Sequence, residues 1–164
     1  KVNEAKYYAS IPGISGVHFD YLRFGGTAYK FPNAAASINY FVKTAVSAIK
    51  SVNPNCLVSA ALMPEPDNML YYDGQDYPTL TRYLDFVLPM VYKGNYHQST
   101  AWIQSISKWF VDNSNGAQVW TGLQSYRSDE DITYLPVSEL AGDAQAARRR
   151  WSRSPRRRWS ASCR

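Results

Sequence analysis

Gly16-Val17-His18-Phe19-Asp20-Tyr21-Leu22-Arg23-Phe24 decides how the chain is read. It follows a Pro12-Gly13 turn and opens as a near-continuous apolar and aromatic run, the signature of a parallel strand covered on both faces. Asp20 stands where that run ends, and Gly25-Gly26 opens a loop shortly after. A carboxylate at the C-terminal end of a buried parallel strand is where α/β barrels and open α/β sheets place their chemistry. The alternative is a strand-terminal Asp that caps the next turn.

Outward from this strand the pattern alternates. Val2 to Ser10 read as the end of a helix. From Asn33, the plausible N-cap, Ile38, Phe41, Val42, Ala45, Val46 and Ile49 recur at helical spacing until Asn53-Pro54-Asn55 stops them. Cys56 to Leu62 form a second buried strand, ending in Met63-Pro64-Glu65-Pro66. Residues 66–76 read as a Tyr-, Asp- and Gly-rich loop, long enough to be functional. Pro78 to Leu84 suit a short helix. Phe86 to Tyr92 form a third strand, which its internal Pro89 would demote unless the pleat bulges there. Ser99 opens a helix with Trp102, Ile103, Ile106, Trp109 and Phe110 on one face. A fourth strand over Gln118–Gln124 and a last helix over Val137–Ala147 follow.

Strands and helices alternating at this spacing predict an α/β fold with a parallel sheet. A doubly wound open sheet would show a Gly-rich phosphate loop, and Gly25-Gly26 fits neither such spacing. A (β/α)8 barrel needs about 200–250 residues. The 164 residues suit one domain and leave room for about half of a barrel. The expected fold is therefore a partial (β/α)8 TIM barrel.

The composition is that of a folded domain, 45% hydrophobic and 15% aromatic with 13 Tyr and 5 Trp. No stretch approaches the ~18 apolar residues of a membrane helix. The two cysteines provide neither a disulfide framework nor metal-ligand spacing, and no cofactor or metal is expected. The net charge of +5 is unevenly placed. Residues 148–164 hold eight of the 18 basic residues and none of the 13 acidic ones, which leaves a net of −3 for residues 1–147. A nucleic-acid role would rest on that Arg/Ser-rich tail alone, and specific nucleic-acid binding is not expected. The tail is expected to be disordered or an out-of-frame reading.

Three segments then carry a family resemblance. Gly16 to Phe24, Leu84-Asp85-Phe86-Val87-Leu88-Pro89-Met90-Val91-Tyr92, and Val119-Trp120-Thr121-Gly122-Leu123-Gln124 resemble strands of bacterial and archaeal glycoside-hydrolase-like TIM barrels. The resemblance covers roughly residues 10–147 and implies that these are strands four, six and seven, with Cys56–Leu62 as strand five. It implies that strands one to three lie before Lys1, whereas the Arg-rich tail departs from the expected eighth strand. This half alone is expected to be inactive.

Glycoside cleavage uses two carboxyls flanking the bond, about 5–5.5 Å apart for retention and about 6.5–9.5 Å for inversion. Under the resemblance Asp20 is the nucleophile or electrostatic stabiliser and Glu65 the general acid. Arg23 would pair with Asp20 or stand as a surface cation. Tyr92, in a Met-x-Tyr similar to that of chitinase-like barrels, would bind the sugar, with Trp120, Gln124 and Tyr126 as further subsite residues. His18 shares the parity of Asp20 and reads as a satisfied core histidine. Asp85, preceding its strand, belongs at the opposite, stabilising end. The expected partner is a polysaccharide or oligosaccharide substrate, and the expected location is extracellular or at the cell surface. A carbohydrate-binding barrel without catalysis is the alternative.

Overall fold

The computed structural model of the protein describes residues 1–148; the expectations about the tail beyond Arg148 lie outside the described residues. Helix α1 (Val2–Ser10) precedes strand β1 (Gly16–Phe19). Then come α2 (Ala34–Val52), β2 (Leu57–Leu62), α3 (Pro66–Asp73), α4 (Tyr77–Leu80), β3 (Phe86–Val91), α5 (Thr100–Asp112), β4 (Gln118–Val119), β5 (Gly122–Leu123) and α6 (Val137–Arg148). Every strand pairing is parallel, and the order β1-β2-β3-β4 follows the chain, with β5 continuing along the same edge of β3. Adjacent strands in chain order are the winding of a barrel wall, not of a doubly wound sheet.

The core lies on one side of this sheet. Val58, Ala60, Leu62 and Val87 are fully buried and cluster with Ile38, Val42 and Ile49 of α2, Leu80 of α4 and Phe110 of α5. These helix positions are the apolar stripe seen in the sequence, and each fully buried Val or Ile contributes about 1.5–3 kcal/mol. The stripe of α5 starts at Ser99, whose hydroxyl accepts the Trp102 N–H at 3.4 Å. Tyr77 buries its ring against Phe110 and donates its hydroxyl to the Phe110 carbonyl at 2.6 Å.

The other face, with residues of opposite parity, is open among the described residues. Gly16, His18 and Trp120 are exposed, and Phe86, Leu88 and Met90 are half-buried. Within the described residues β1 is covered on one face only. Among the described strands it lies at the end of the sheet order, and only Val17 and Phe19 point toward the helices. Among the described residues His18 is exposed, and its Nδ1 lies 2.8 Å from the Ser59 hydroxyl on the open face.

Two expectations change. Residues 66–73 are a helix, not a loop: Pro66 occupies its first turn and Gly74, at φ 72°, ends it in the left-handed conformation. A Cβ at Gly74 would also stand 3.3 Å from Ile38 Cδ1. Pro89, for its part, causes no bulge. The register against β4 and β5 is continuous across it (Val87 opposite Val119, Met90 opposite Gly122), and the pairing lapses between them. Pro89 shares the parity of Val87, so its missing N–H falls on that side. Asp85 lies at the starts of the strands as expected, accepting the Val58 N–H at 2.8 Å and pairing with Lys50 at 3.0 Å.

Candidate active site

In a parallel sheet all strand ends of one kind collect at one rim. Asp20 follows β1 directly, Met63 to Glu65 follow β2, Tyr92 follows β3, and Gln124 and Tyr126 follow β5. Asp20, Met63, Tyr92 and Gln124 also share the parity of the open face.

The chain turns sharply after Asp20. Asp20 Oδ1 accepts the Tyr21 N–H at 2.7 Å, Tyr21 adopts φ 54°, and the Arg23 N–H returns to the Tyr21 carbonyl at 2.8 Å. This reversal lays the Arg23 guanidinium over the Tyr21 ring, 4.4 Å from its centroid, with Nη1 against Met63 Sδ. Arg23 therefore does not form the expected ion pair with Asp20. Glu65 is half-buried at the N-cap of α3, where its carbonyl accepts the Asn68 and Met69 N–H groups at 3.0 and 2.8 Å.

Two tyrosines at this rim have raised pKa values. Burial raises the pKa of the Tyr92 hydroxyl, and the charges of Asp20 and Asp129 raise it further. Tyr96, in the loop after β3, is pushed up to about 12, first by burial and then by Glu65, against an opposing effect of Arg23; Tyr92 adds a smaller push in the same direction. Asp20, Glu65 and Tyr92 follow the C-terminal ends of three neighbouring parallel strands and so lie at one rim, with Arg23 and Tyr96 in the loops that continue from it. Tyr126 joins that rim: its hydroxyl donates to Asp129 Oδ1 at 3.1 Å, a bond that raises its pKa.

Trp120 and Gln124 are placed differently from the expectation. Trp120 folds back toward the strand starts, stacking on Phe86 at 4.7 Å and donating its indole N–H to Gln118. Gln124 is buried and its amide is spent: Oε1 accepts the Gly94 N–H at 3.1 Å and Nε2 donates to Asn95 Oδ1 at 2.8 Å. It ties the loop after β3 to the loop after β5. Asn95 completes the tie through both the Asp129 backbone N–H and the Asp129 carboxylate, at 2.9 and 2.8 Å.

Sequence reasoning missed the residues that hold these loops. Gln75 is buried at 1% exposure; its Oε1 accepts the Met63 N–H at 2.9 Å and its Nε2 donates to the Leu22 carbonyl at 3.0 Å. It thereby fixes the segment two residues past Asp20 against the segment two residues before Glu65. Asp73, also buried, supports the same loop by accepting the Gly26 N–H at 3.2 Å through its side chain and the Phe24 N–H at 3.0 Å through its carbonyl. Lys93 holds α6, pairing with buried Asp143 at 2.7 Å and with Glu139 at 2.8 Å. Burial pulls the Lys93 pKa down, but the bonds and charges of those two carboxylates outweigh it and the net shift is upward. The only signal for Gln75 was its place after the helix-ending Gly74. Among the described residues no three His, Cys, Asp or Glu side chains gather as a metal site requires.

No family model matches the chain, and no curated protein does. Solved structures do. The chain superposes on the glycoside hydrolase domain of PgaB (BpsB) from Bordetella bronchiseptica with a TM-score of 0.69 at 12% identity, over 90% of this chain and 52% of that one. A class V chitinase from Pseudomonas fluorescens Pf-5 gives 0.60 at 23% identity, over 76% and 40%. Catalytic domain 2 of the Group II chitinase of Ostrinia furnacalis gives 0.53 at 13% identity, over 73% and 36%; a mutant of that domain has been solved with penta-N-acetylchitooctaose. The chain spans about half the length of these structures or less. Its fold is that of a partial glycoside-hydrolase-type TIM barrel, built on a parallel four-strand wall.

Proposed function

We propose that this chain supplies strands four to seven of a barrel that cleaves glycosidic bonds in a polysaccharide or cell-wall glycan. Asp20 is the nucleophile or electrostatic stabiliser, Glu65 the general acid, and Tyr92 a hydrogen-bonding partner of the sugar. The observation that carries this reading is the shared rim: Asp20 and Glu65 follow the C-terminal ends of β1 and β2, which are adjacent and parallel. Two carboxyls at one rim are what glycoside hydrolysis requires. Arg23 and Tyr126 line the same rim and bind substrate. An extracellular or cell-surface location goes with this substrate class and is part of the proposal. No described helix is long and apolar enough to cross a membrane.

Glycan binding without cleavage is the second reading. It is favoured by the setting of Asp20, which is exposed rather than enclosed. The two are separated by hydrolysis assays on the complete barrel. Asp20→Asn and Glu65→Gln should each abolish product formation while oligosaccharide binding persists. Full activity in Asp20→Asn removes the assignment, and binding with no turnover by the wild type leaves the second reading.

A further inference from the structure

Tyr21 is held in a conformation that its own fold gives little reason to keep. A bulky side chain at φ 54° is strained, and such strain persists only where the surroundings impose it. Here they do so from several directions. The Asp20 carboxylate takes the Tyr21 N–H, the Arg23 N–H takes its carbonyl, and the Arg23 guanidinium, itself against Met63 Sδ, backs the ring. Below, a Cβ at Gly25 would stand 3.5 Å from the Tyr21 hydroxyl, so the ring edge lies close over a residue without a side chain. Despite this bracing the residue is 67% exposed. Its burial stabilises little, and a glycine would adopt the same turn without strain.

The other exposed aromatics near these loops are arranged differently. Tyr29 and Tyr71 stack on each other at 5.3 Å, and Tyr72 meets both edge-on. Their rings are occupied by one another. Tyr21 instead has one face covered by a cation and the other turned to solvent, beside Asp20.

We infer that Tyr21 is a preformed stacking platform for a pyranose ring of the glycan, next to the bond presented to Asp20. The electron-rich face of a tyrosine attracts the weakly positive C–H face of a sugar. A ring locked in place by Arg23 and Met63 loses little freedom when the sugar arrives. The inference rests on the proposed function and adds to it a substrate-binding residue that is not a catalytic one.

The test is binding of the complete barrel to soluble hexasaccharides of β-1,4-linked N-acetylglucosamine, glucose, xylose and mannose, measured by calorimetry alongside thermal unfolding. Tyr21→Gly should weaken the wild type's best ligand by about tenfold or more without lowering Tm, because it relieves the strained backbone. Tyr21→Trp should keep affinity within about threefold. Unchanged affinity in Tyr21→Gly overturns the platform and leaves the carboxylate reading standing. Loss of binding together with a lowered Tm in both variants also overturns it, since the ring would then be structural. No binding of any of the four by the wild type overturns both readings.

Discussion

Replacing Gln75 by Leu should loosen the candidate site and the fold together. The leucine keeps the volume of the buried side chain but offers neither donor nor acceptor. The Met63 N–H and the Leu22 carbonyl, bonded at 2.9 and 3.0 Å in the wild type, would both be orphaned. Each buried unsatisfied group costs about 1–3 kcal/mol, so the pair sets a ceiling of about 2–6 kcal/mol, lowered by whatever water reaches the gap. Against a total stability of about 5–15 kcal/mol for a domain, that is a large fraction. Urea unfolding should show a lower midpoint at an unchanged slope. Hydrogen exchange should show the Met63 amide losing protection ahead of amides at strand centres such as Val87. Gln75→Glu retains an acceptor for Met63, loses the donor to Leu22 and introduces a buried charge, so it should not rescue. A Gln75→Leu variant within about 0.5 kcal/mol of wild type, with the Met63 amide still protected, would refute the argument that this side chain holds the two loops in place.

Three further outcomes are expected. A Cβ at Gly94 would lie 1.6 Å from the Arg127 carbonyl oxygen and 2.8 Å from Gln124 Oε1; Gly94→Ala must push the two loops apart and should cost at least the 1–3 kcal/mol typical of overpacking, read as a fall in Tm. Lys93→Met leaves buried Asp143 without its cation and should destabilise by about 3–5 kcal/mol at neutral pH. Because the folded Lys93 pKa is raised, its stabilisation is fully present below the unfolded value of about 10.4 and is lost as pH rises through the folded pKa. The deficit of Lys93→Met relative to wild type should therefore narrow in strongly alkaline urea titrations. Glu65→Gln removes a charge that raises Tyr96, and Asp20→Asn one that raises Tyr92. Spectrophotometric titration of the tyrosines should show the matching hydroxyl ionising at lower pH in each variant, and an unmoved titration would place that carboxylate away from that hydroxyl.

Much of the frame was legible because it is written locally. The stripe Ile38, Val42, Ala45 and Ile49 specifies its helix by spacing alone, and Ser99 opens the next long helix as its N-cap. The three resembling segments are enough to place Asp20 and Tyr92 at strand ends. The signals for α3 were present too, in Pro66 and Gly74, but its abundance of Tyr, Asp and Asn suggested a loop. Helix α3 hides only Met69 and Asp73 among its residues, so it carries almost no apolar stripe to read.

The amino-acid order by itself determined the alternation of strands and helices, hence the parallel wall and the rim at which its carboxylates end. Each of those properties depends on residues a few positions apart. Tertiary structure alone decided which face of β1 is covered, that Arg23 lies on Tyr21 rather than beside Asp20, that Trp120 turns away, and that Gln124 and Gln75 serve as ties. Those outcomes depend on partners such as Leu22 and Gln75, 53 residues apart. A polar side chain's bonding capacity is visible in its formula, but the backbone group that meets it is chosen only when distant segments pack.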